Sequence, residues 1–548
     1  MDHTATMLES GGPHVPEVAH LVLVTAARIV TQAGPDAEAM VLFGDRVLAT
    51  GSAEQMSRLA PDAPRDDYGD ATVVPGFNDA HQHLTMMAAQ TSGLDLSAPQ
   101  LDSPDALAAA ITRHAASLPA DGWMVASRYD HVRSSAGQRL TRAELDAAVP
   151  DHPAIVVHIG AHWGVANSLA LAAAGLDDSS VAPPGGELGR DADGRLDGFV
   201  SEQPLFDFVY PSLAAGEPIV PPTPVDELVP AILASAEKML AAGITSVCDA
   251  MVGPRELQLL QGARDRGLPL RVNALLTFPH LPALTEVGLR DGFGDEWLRI
   301  GGIKAFVDGA VAGRSCAVAE PFEGTDDTGL LTVTAEQLQD LVGRATAAGT
   351  RLAVHANGER AIEMVLDALE RVAATGVLML RHRIEHCSIV TPSIVERMKR
   401  LDLIAVPFGS YAYFHGDKLL QWYGADRLER MFAHRSLRDA GITVAGSSDY
   451  PCGPWEPLLG LQSCVTRRSA TGRDVGPSQR LSVREALELY TVGSAASSGE
   501  DGVKGRLAPG FLADFTVLDG DLMTVDPDRI GAVRVRATWV GGVRRWAA

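Results

Sequence analysis

Two histidines, His81 and His83, stand one residue apart in the stretch VVPGFNDAHQHL, just after an apolar run. In extended backbone, residues i and i+2 project from one face, so both imidazoles can point at one spot. That spacing suits a metal ion and predicts further ligands downstream, each at the end of its own strand. Suitable residues are there. The run GGIKAFVDGA carries Lys304 and Asp308, RLAVHANGER carries His355, RHRIEHCSI carries His386, and TVAGSSDYP carries Asp449. Taken singly, each has a structural explanation. A lone histidine is more often a hydrogen-bonded core residue than a ligand, Lys304 could pair with a carboxylate, and Asp449 before Tyr-Pro could form a turn. Together, at the ends of five strands, they are hard to obtain by packing alone. A lysine inside an apolar strand is costly unless its charge is paired or removed. Imidazoles and carboxylates suit zinc or another borderline divalent metal, whereas a thiolate site would need cysteines that are not placed here. Cys387 follows His386 directly and is expected to face the core.

These residues need a scaffold of parallel strands, and the chain supplies one. Short apolar runs recur at TVVPGFNDAHQH, GITSVCDA, LRVNALLTF, RIGGIKAFVDG, RLAVHAN, RHRIEHC, LIAVPFGS and ITVAGSSDYP. Most are separated by helical stretches rich in Ala, Leu and charge, such as GERAIEMVLDALERVAATG. Eight strand–helix steps predict an α/β fold, the (β/α)8 TIM barrel, whose chemistry sits at the C-terminal strand ends. Short β-rich segments at both termini predict a small β-sandwich domain completed by the two ends of the chain. The expected division is 1–73 and 498–548 for that domain and 74–497 for the barrel. The segment from about 91 to 230 holds its own strands and a hairpin signal, GGELGRDADGRLDGF. It is expected to be an insertion after the first barrel strand, shaping the active site or serving packing or oligomer contacts.

Composition narrows the partners. The 548 residues carry 46 Lys+Arg against 69 Asp+Glu, a net charge of -23. That argues against nucleic acid or an anionic membrane as the main partner. No apolar run approaches the ~20 residues of a membrane helix. The opening MDHTATMLESGGPHVPEVAH lacks the basic start and apolar core of a secretory signal. The five cysteines form no CxxC pair, so a disulfide framework is not expected and the cytoplasm is the expected location. A small-molecule substrate is the expected partner, and a homodimer stays open.

The motifs PGFNDAHQH, the strand-four lysine, AVHANGERAI, RIEHC and GSSDYP resemble the amidohydrolase superfamily of metal-dependent hydrolases. GRLAPGFLADFTVLD resembles that superfamily's closing β-sandwich segment. IKAFVDGAVAGRS, HANGERAIEMVLDALE and the long insertion resemble its YtcJ-like branch, which includes N-substituted formamide deformylases. The resemblance implies that His81 and His83 bind one metal and His355 and His386 a second, with the site holding one ion or two. It implies Lys304 as a bridging ligand, carboxylated by CO2, and Asp449 as the residue touching the first metal and the attacking water. One departure is local: AVAGRSCA, with Ala312, Gly313 and Arg314, replaces the Gly-Ser-Arg-Thr that relatives often carry.

The implied reaction is hydrolysis of a C–N bond in an amide, formamide or carbamate, with Asp449 moving the proton. Ring deamination on the same centre is the nearest alternative, and a non-catalytic scaffold is a more distant one. Aromatics after strand seven, among them Phe408, Tyr411 and Trp422, and the pair His162 and Trp163 in the insertion are candidate substrate contacts for an apolar or aryl group. Ordinary loop packing is the competing explanation for them. Glu202 is a weaker candidate.

Overall fold

The run from Thr72 to Gln82 is not one strand but two, broken at Gly76. Thr72–Pro75 pairs with strands from both termini, and Phe77–Gln82 opens the barrel. The computed structural model describes residues 20–91, 93–377 and 379–548; the opening stretch read above for a secretory signal lies outside the described residues up to position 19.

Eight parallel strands form one curled sheet in chain order: β1 (Phe77–Gln82), β2 (Ile244–Val252), β3 (Arg271–Thr277), β4 (Leu298–Phe306), β5 (Leu352–Ala356), β6 (Arg383–His386), β7 (Ile404–Pro407) and β8 (Thr443–Val444). All eight coincide with the runs that the sequence marks. Backbone hydrogen bonds join the first strand to the segment after the last: Ala80 N–H to Gly446 O (3.0 Å), Asp449 N–H to His81 O (2.9 Å) and His83 N–H to Tyr450 O (3.0 Å). This is the TIM-barrel type of α/β fold. The strand residues are almost wholly buried, as strands covered by helices must be.

The helices follow from pattern and caps. Glu359–Ala373 buries Ala361, Ile362, Val365, Leu366, Leu369 and Val372, a 3.6-residue stripe laid on the sheet. Gly358 at its start is forced by space, since a Cβ there would sit 2.0 Å from the Ala317 carbonyl oxygen. Its N–H and those of Asn357 and Ala317 all donate to the Asp308 carboxylate at 2.9 Å, fixing the loops that follow β4 and β5.

The two termini share one eight-stranded sheet, with Leu21–Ile29, Ala37–Phe43 and Arg46–Gly51 on one side of Thr72–Pro75 and Phe515–Leu518, Val535–Val540 and Val543–Ala547 on the other. Arg271 of β3 is locked to it by two hydrogen bonds to the Asp514 carboxylate, 2.6 and 3.0 Å. Between β1 and the helix Val225–Ala241 lies a six-stranded sheet of its own, running from Leu94–Asp95 to Leu196–Ser201. Cys248, Cys316, Cys387, Cys452 and Cys464 are free and buried. Cys387 packs in the main core with its thiol 3.7 Å from the Met398 sulfur, as its place in the sequence predicts. No helix among the described residues is long and apolar enough to cross a membrane.

Candidate metal centre

Strand ends deliver the six residues to one place. His81, His83, Lys304, His355, His386 and Asp449 line a single pocket of about 30 Å³, together with His162, Phe206 and Tyr210 of the inserted segment. The rings of His81 and His386 lie 4.6 Å apart, and those of His386 and His355 4.5 Å apart. Among the described residues, Asp449 is the one carboxylate lining the pocket. Its Oδ1 lies 3.1 Å from His83 Nε2 and 3.5 Å from His81 Nε2.

Two of the six are aimed by unusual backbone. His386 and Asp449 adopt φ of +67° and +52°. Such left-handed conformations are uncommon for residues other than glycine and cluster at functional sites. At the end of β6 the strand alternation would send residue 386 the way of Ile384, into the outer core. The left-handed turn brings the imidazole inward instead.

Neighbours outside the pocket set the ring orientations. His81 Nδ1–H donates to Glu385 Oε2, and Glu385 in turn accepts from Arg383 Nε (2.7 Å) and Nη2 (2.8 Å). Burial alone would raise the Glu385 pKa, but Arg383 and His81 overcome it and hold the carboxyl down at about 2. An ionised Glu385 on Nδ1 fixes the tautomer that leaves His81 Nε2 as a bare lone pair. His355 Nε2 lies 3.1 Å from the Gly309 carbonyl oxygen and 2.9 Å from Asn357 Nδ2, contacts that hold the ring in place. Burial and the Lys304 charge lower the His81 pKa to about 4, and burial puts His355 and His386 well below the usual histidine range. For Asp449, burial pushes upward, but the hydrogen bond from His83 and the charges of His81, His83 and Lys304 hold its carboxyl below the ordinary value.

The donor set fits a cation. His81 Nε2, His386 Nδ1 and Lys304 Nζ are buried polar atoms without a hydrogen-bond partner. Unpartnered buried groups of this kind are costly and call for a ligand. Neutral imidazoles beside a carboxylate are what a borderline divalent ion takes. His81, His83 and Asp449 offer ligand atoms mutually within 4.8 Å. Lys304 is fully buried, its Nζ 4.4 Å above the Phe306 ring, and burial lowers its pKa to about 8.

The candidate substrate contacts separate into two groups. His162 lines the pocket, its Nδ1 3.0 Å from Glu202 Oε2 and its ring 4.9 Å from that of His355. Burial lowers its pKa, but the Glu202 charge and hydrogen bond prevail and the value is raised. Trp163, Phe408, Tyr411 and Trp422 stand outside the described lining. Phe408 stacks on His386 (4.5 Å) and Tyr411 on Phe408 (3.7 Å), while the Tyr411 hydroxyl donates to Asp449 Oδ2 (3.2 Å). Those two therefore support the putting-in-place of pocket residues from behind. Trp163 stacks on His158 at 4.1 Å, and Trp422 packs in the aromatic cluster behind the pocket.

Sequence reasoning missed Arg383 and Glu385. The signal was present: two opposite charges at i and i+2 in an apolar strand must share a face and point into the barrel. It also missed Met86, Tyr210 and Met251, which line the pocket from three distant segments.

A parallel barrel with histidines, a lysine and an aspartate gathered at its strand ends is the architecture of a metal-dependent hydrolase. The model of the Amidohydrolase family matches residues 67–545, and the chain belongs to that family. It is a hydrolase acting on carbon–nitrogen bonds. It is 30% identical to an N-substituted formamide deformylase of Arthrobacter pascens, over 96% of this chain and 98% of that one. A putative amidohydrolase, YtcJ, of Bacillus subtilis (strain 168) is also 30% identical, over 93% and 96%. The fold is shared with an uncharacterized metal-dependent hydrolase from Pyrococcus horikoshii OT3, with a TM-score of 0.73 at 24% identity over 92% of this chain and 99% of that one.

Proposed function

We propose that this protein hydrolyses the C–N bond of an N-substituted formamide or similar small amide at one or two divalent ions, zinc being the ion its donors suit best. His81, His83, Lys304, His355, His386 and Asp449 would hold the metal. The observation that carries the reading is the set of unpartnered, buried nitrogens around a pocket with one lining carboxylate among the described residues. A bound ion of this kind polarises a carbonyl and lowers the pKa of a water to around 7.

The chain's own groups supply the rest. Asp449 takes a proton from the attacking water and delivers it to the leaving nitrogen. His162, oriented by Glu202, donates a hydrogen bond to the carbonyl oxygen as charge develops there. The water oxygen bonds to the acyl carbon, the C–N bond breaks, and a carboxylate and an amine leave. Lys304 is read as carboxylated. Its ammonium first loses a proton, and the free amine then adds to CO2, forming an N–C bond and releasing a second proton, so that a buried cation becomes an anionic ligand. Its burial and its lack of a hydrogen-bond partner support this.

We divide the chain into a hydrolase barrel over 74–497, with an insertion at about 91–230, and a small domain from 1–73 and 498–548. The sandwich reading of that small domain is supported by Met40 and Leu42 sharing a core cluster with Ala537 and Trp539 from the other side of the sheet. A cytoplasmic location is supported by the five free, buried cysteines.

The test is elemental analysis of the purified protein together with chelator-sensitive release of formate from N-benzylformamide. About one to two equivalents of metal with turnover is the expected result. Ammonia released from a purine or pyrimidine, with formamides untouched, would favour the deaminase. Protein that takes up no metal even on reconstitution would be a scaffold.

A further inference from the structure

The insertion meets two barrel loops beside the candidate metal centre, in a group of donors that the hydrolytic reading does not use. His158 ends the strand Ala154–His158 and is 1% exposed. Burial holds its pKa well below the usual histidine range, so the ring is neutral. Its Nδ1 accepts from Gly160 N–H at 3.1 Å, which places the proton on Nε2. That Nε2 is buried and has no hydrogen-bond partner. Lys418, in the helix Gly416–Leu428 after β7, gives one hydrogen to Asp130 Oδ2 at 2.8 Å and keeps its others. Arg314, on the loop after β4, is half-buried and forms no ion pair among the described residues.

Aromatic rings tie these groups together. The His131 ring lies 5.3 Å from that of His158 and is stacked at 6.4 Å on that of Trp422. Arg314 Cζ and Lys418 Nζ each stand 5.9 Å from the centre of the Trp422 ring. The largest charges acting on His131 are those of Asp130, Lys418, Arg139 and Arg314, three cations against one carboxylate. Since Lys418 already engages Asp130, what remains is a set of donors in want of an acceptor. A buried donor without a partner is costly, and a guanidinium beside it matches a planar carboxylate. The backbone of Arg314 is held at φ +55°, an uncommon conformation that clusters at functional sites. The group also abuts the metal pocket through Gly160, which lines it. A Cβ on Gly160 would lie 3.2 Å from His158 Nδ1 and 3.6 Å from the backbone nitrogen of Gly313, next to Arg314.

We propose that His158, Lys418 and Arg314 form a binding site for a carboxylate, beside the metal pocket and independent of the metal. His158 Nε2–H and the Lys418 ammonium donate from the buried side, and the Arg314 guanidinium from the rim. The carboxylate can come from two sources: the far end of a substrate held at the metal, or a separate small acid. The site itself goes beyond the amide-hydrolase reading and stands whichever bond is cleaved; only the first source rests on that reading.

The experiment titrates the metal-loaded protein calorimetrically with benzoate and with its uncharged analogue benzamide. Wild type is expected to bind benzoate and not benzamide. Arg314→Gln should weaken benzoate by roughly ten- to a hundredfold, the range for a hydrogen bond to a charged group. Arg314→Lys should keep most of the affinity. His158→Phe, which removes the buried donor and keeps a ring, should weaken benzoate as well, with circular dichroism to establish folding. The Arg314-dependent binding should persist in His81→Ala, where the metal is gone. Equal affinity in wild type and Arg314→Gln, equal binding of benzamide, or binding lost in His81→Ala would overturn the inference. Turnover of N-benzylformamide and N-(4-carboxybenzyl)formamide separates the two sources. A wild-type preference for the carboxylated compound that Arg314→Gln erases marks the substrate as the source. No preference, with benzoate binding intact, marks a separate acid. If neither compound is hydrolysed, the amide-hydrolase reading fails, and the titration alone decides the site.

Discussion

Among the described residues, two clusters bring histidines and an aspartate within metal-binding distance of one another: His81, His83 and Asp449 at the barrel mouth, and Asp130, His131 and His158 in the insertion. They differ in what already satisfies them. Asp449 Oδ1 contacts only His83 Nε2 at 3.1 Å among hydrogen-bond partners, and the neighbouring His81 Nε2 has none. Asp130 is taken, its Oδ2 accepting from the Lys418 ammonium at 2.8 Å and its Oδ1 from Val132 N–H. His158 Nδ1 accepts from Gly160 N–H at 3.1 Å, so the neutral ring carries its proton on Nε2 and has no lone pair there for a cation. His81 is the reverse case, with Glu385 drawing the proton to Nδ1 and leaving Nε2 bare. Proximity of ligand residues is thus not enough. A resident lysine and a backbone N–H neutralise one cluster, while a buried carboxylate behind a histidine primes the other.

The contrast can be broken or sharpened by substitution. The largest effect on turnover is expected for Asp449→Asn, which keeps the side chain's shape and removes the base: kcat should fall by roughly 10²–10⁴. Glu385→Gln, which weakens the hold on the His81 tautomer, is expected to cost roughly 10–100-fold in metal affinity, read by competition with a chelating dye. Lys418→Met, in the helix Gly416–Leu428 that packs against the insertion, strands the Asp130 carboxylate. The two side chains are only 13% and 12% exposed, so the loss should be about 3 kcal/mol of stability, seen as a lower thermal midpoint, with metal content at the barrel unchanged.

That last variant carries a pH signature. Burial raises the Asp130 pKa, but the charge and hydrogen bond of Lys418 outweigh it and hold the group below its ordinary value. A depressed carboxylate stabilises the fold above its unfolded pKa of about 3.9, and the contribution is lost as pH falls further toward the folded value. The gap in thermal midpoint between wild type and Lys418→Met should therefore be full at pH 6 and narrow below about pH 4. A gap that widens on acidification would contradict the pairing. The smallest effect is expected for His131→Ala, which should leave both metal content and formamide turnover within error of wild type.

Much of this was legible in the sequence because it lies in local pattern. Eight apolar runs marked eight strands, and ligand-type residues at their ends marked the pocket, since strand ends on a barrel converge. The run from Thr72 to Gln82 was misread as a single strand because apolar residues continue across Gly76, where the chain passes from the terminal sheet to the barrel. The aromatics after strand seven were legible as a cluster but not as to which way they face. Phe408 and Tyr411 lie behind His386 and Asp449, outside the described lining of the pocket. The rest of the pocket lining was not legible at all. Met86, Tyr210 and Met251 come from three segments whose meeting is decided by how the insertion docks on the barrel, and no spacing records it.

The most direct test measures metal per chain in His81→Ala and His158→Ala side by side, after identical purification and reconstitution, with circular dichroism to establish folding. The account expects His81→Ala to lose the ion and its turnover while His158→Ala keeps both. Metal retained in His81→Ala and lost in His158→Ala would place the ion in the insertion and contradict the assignment.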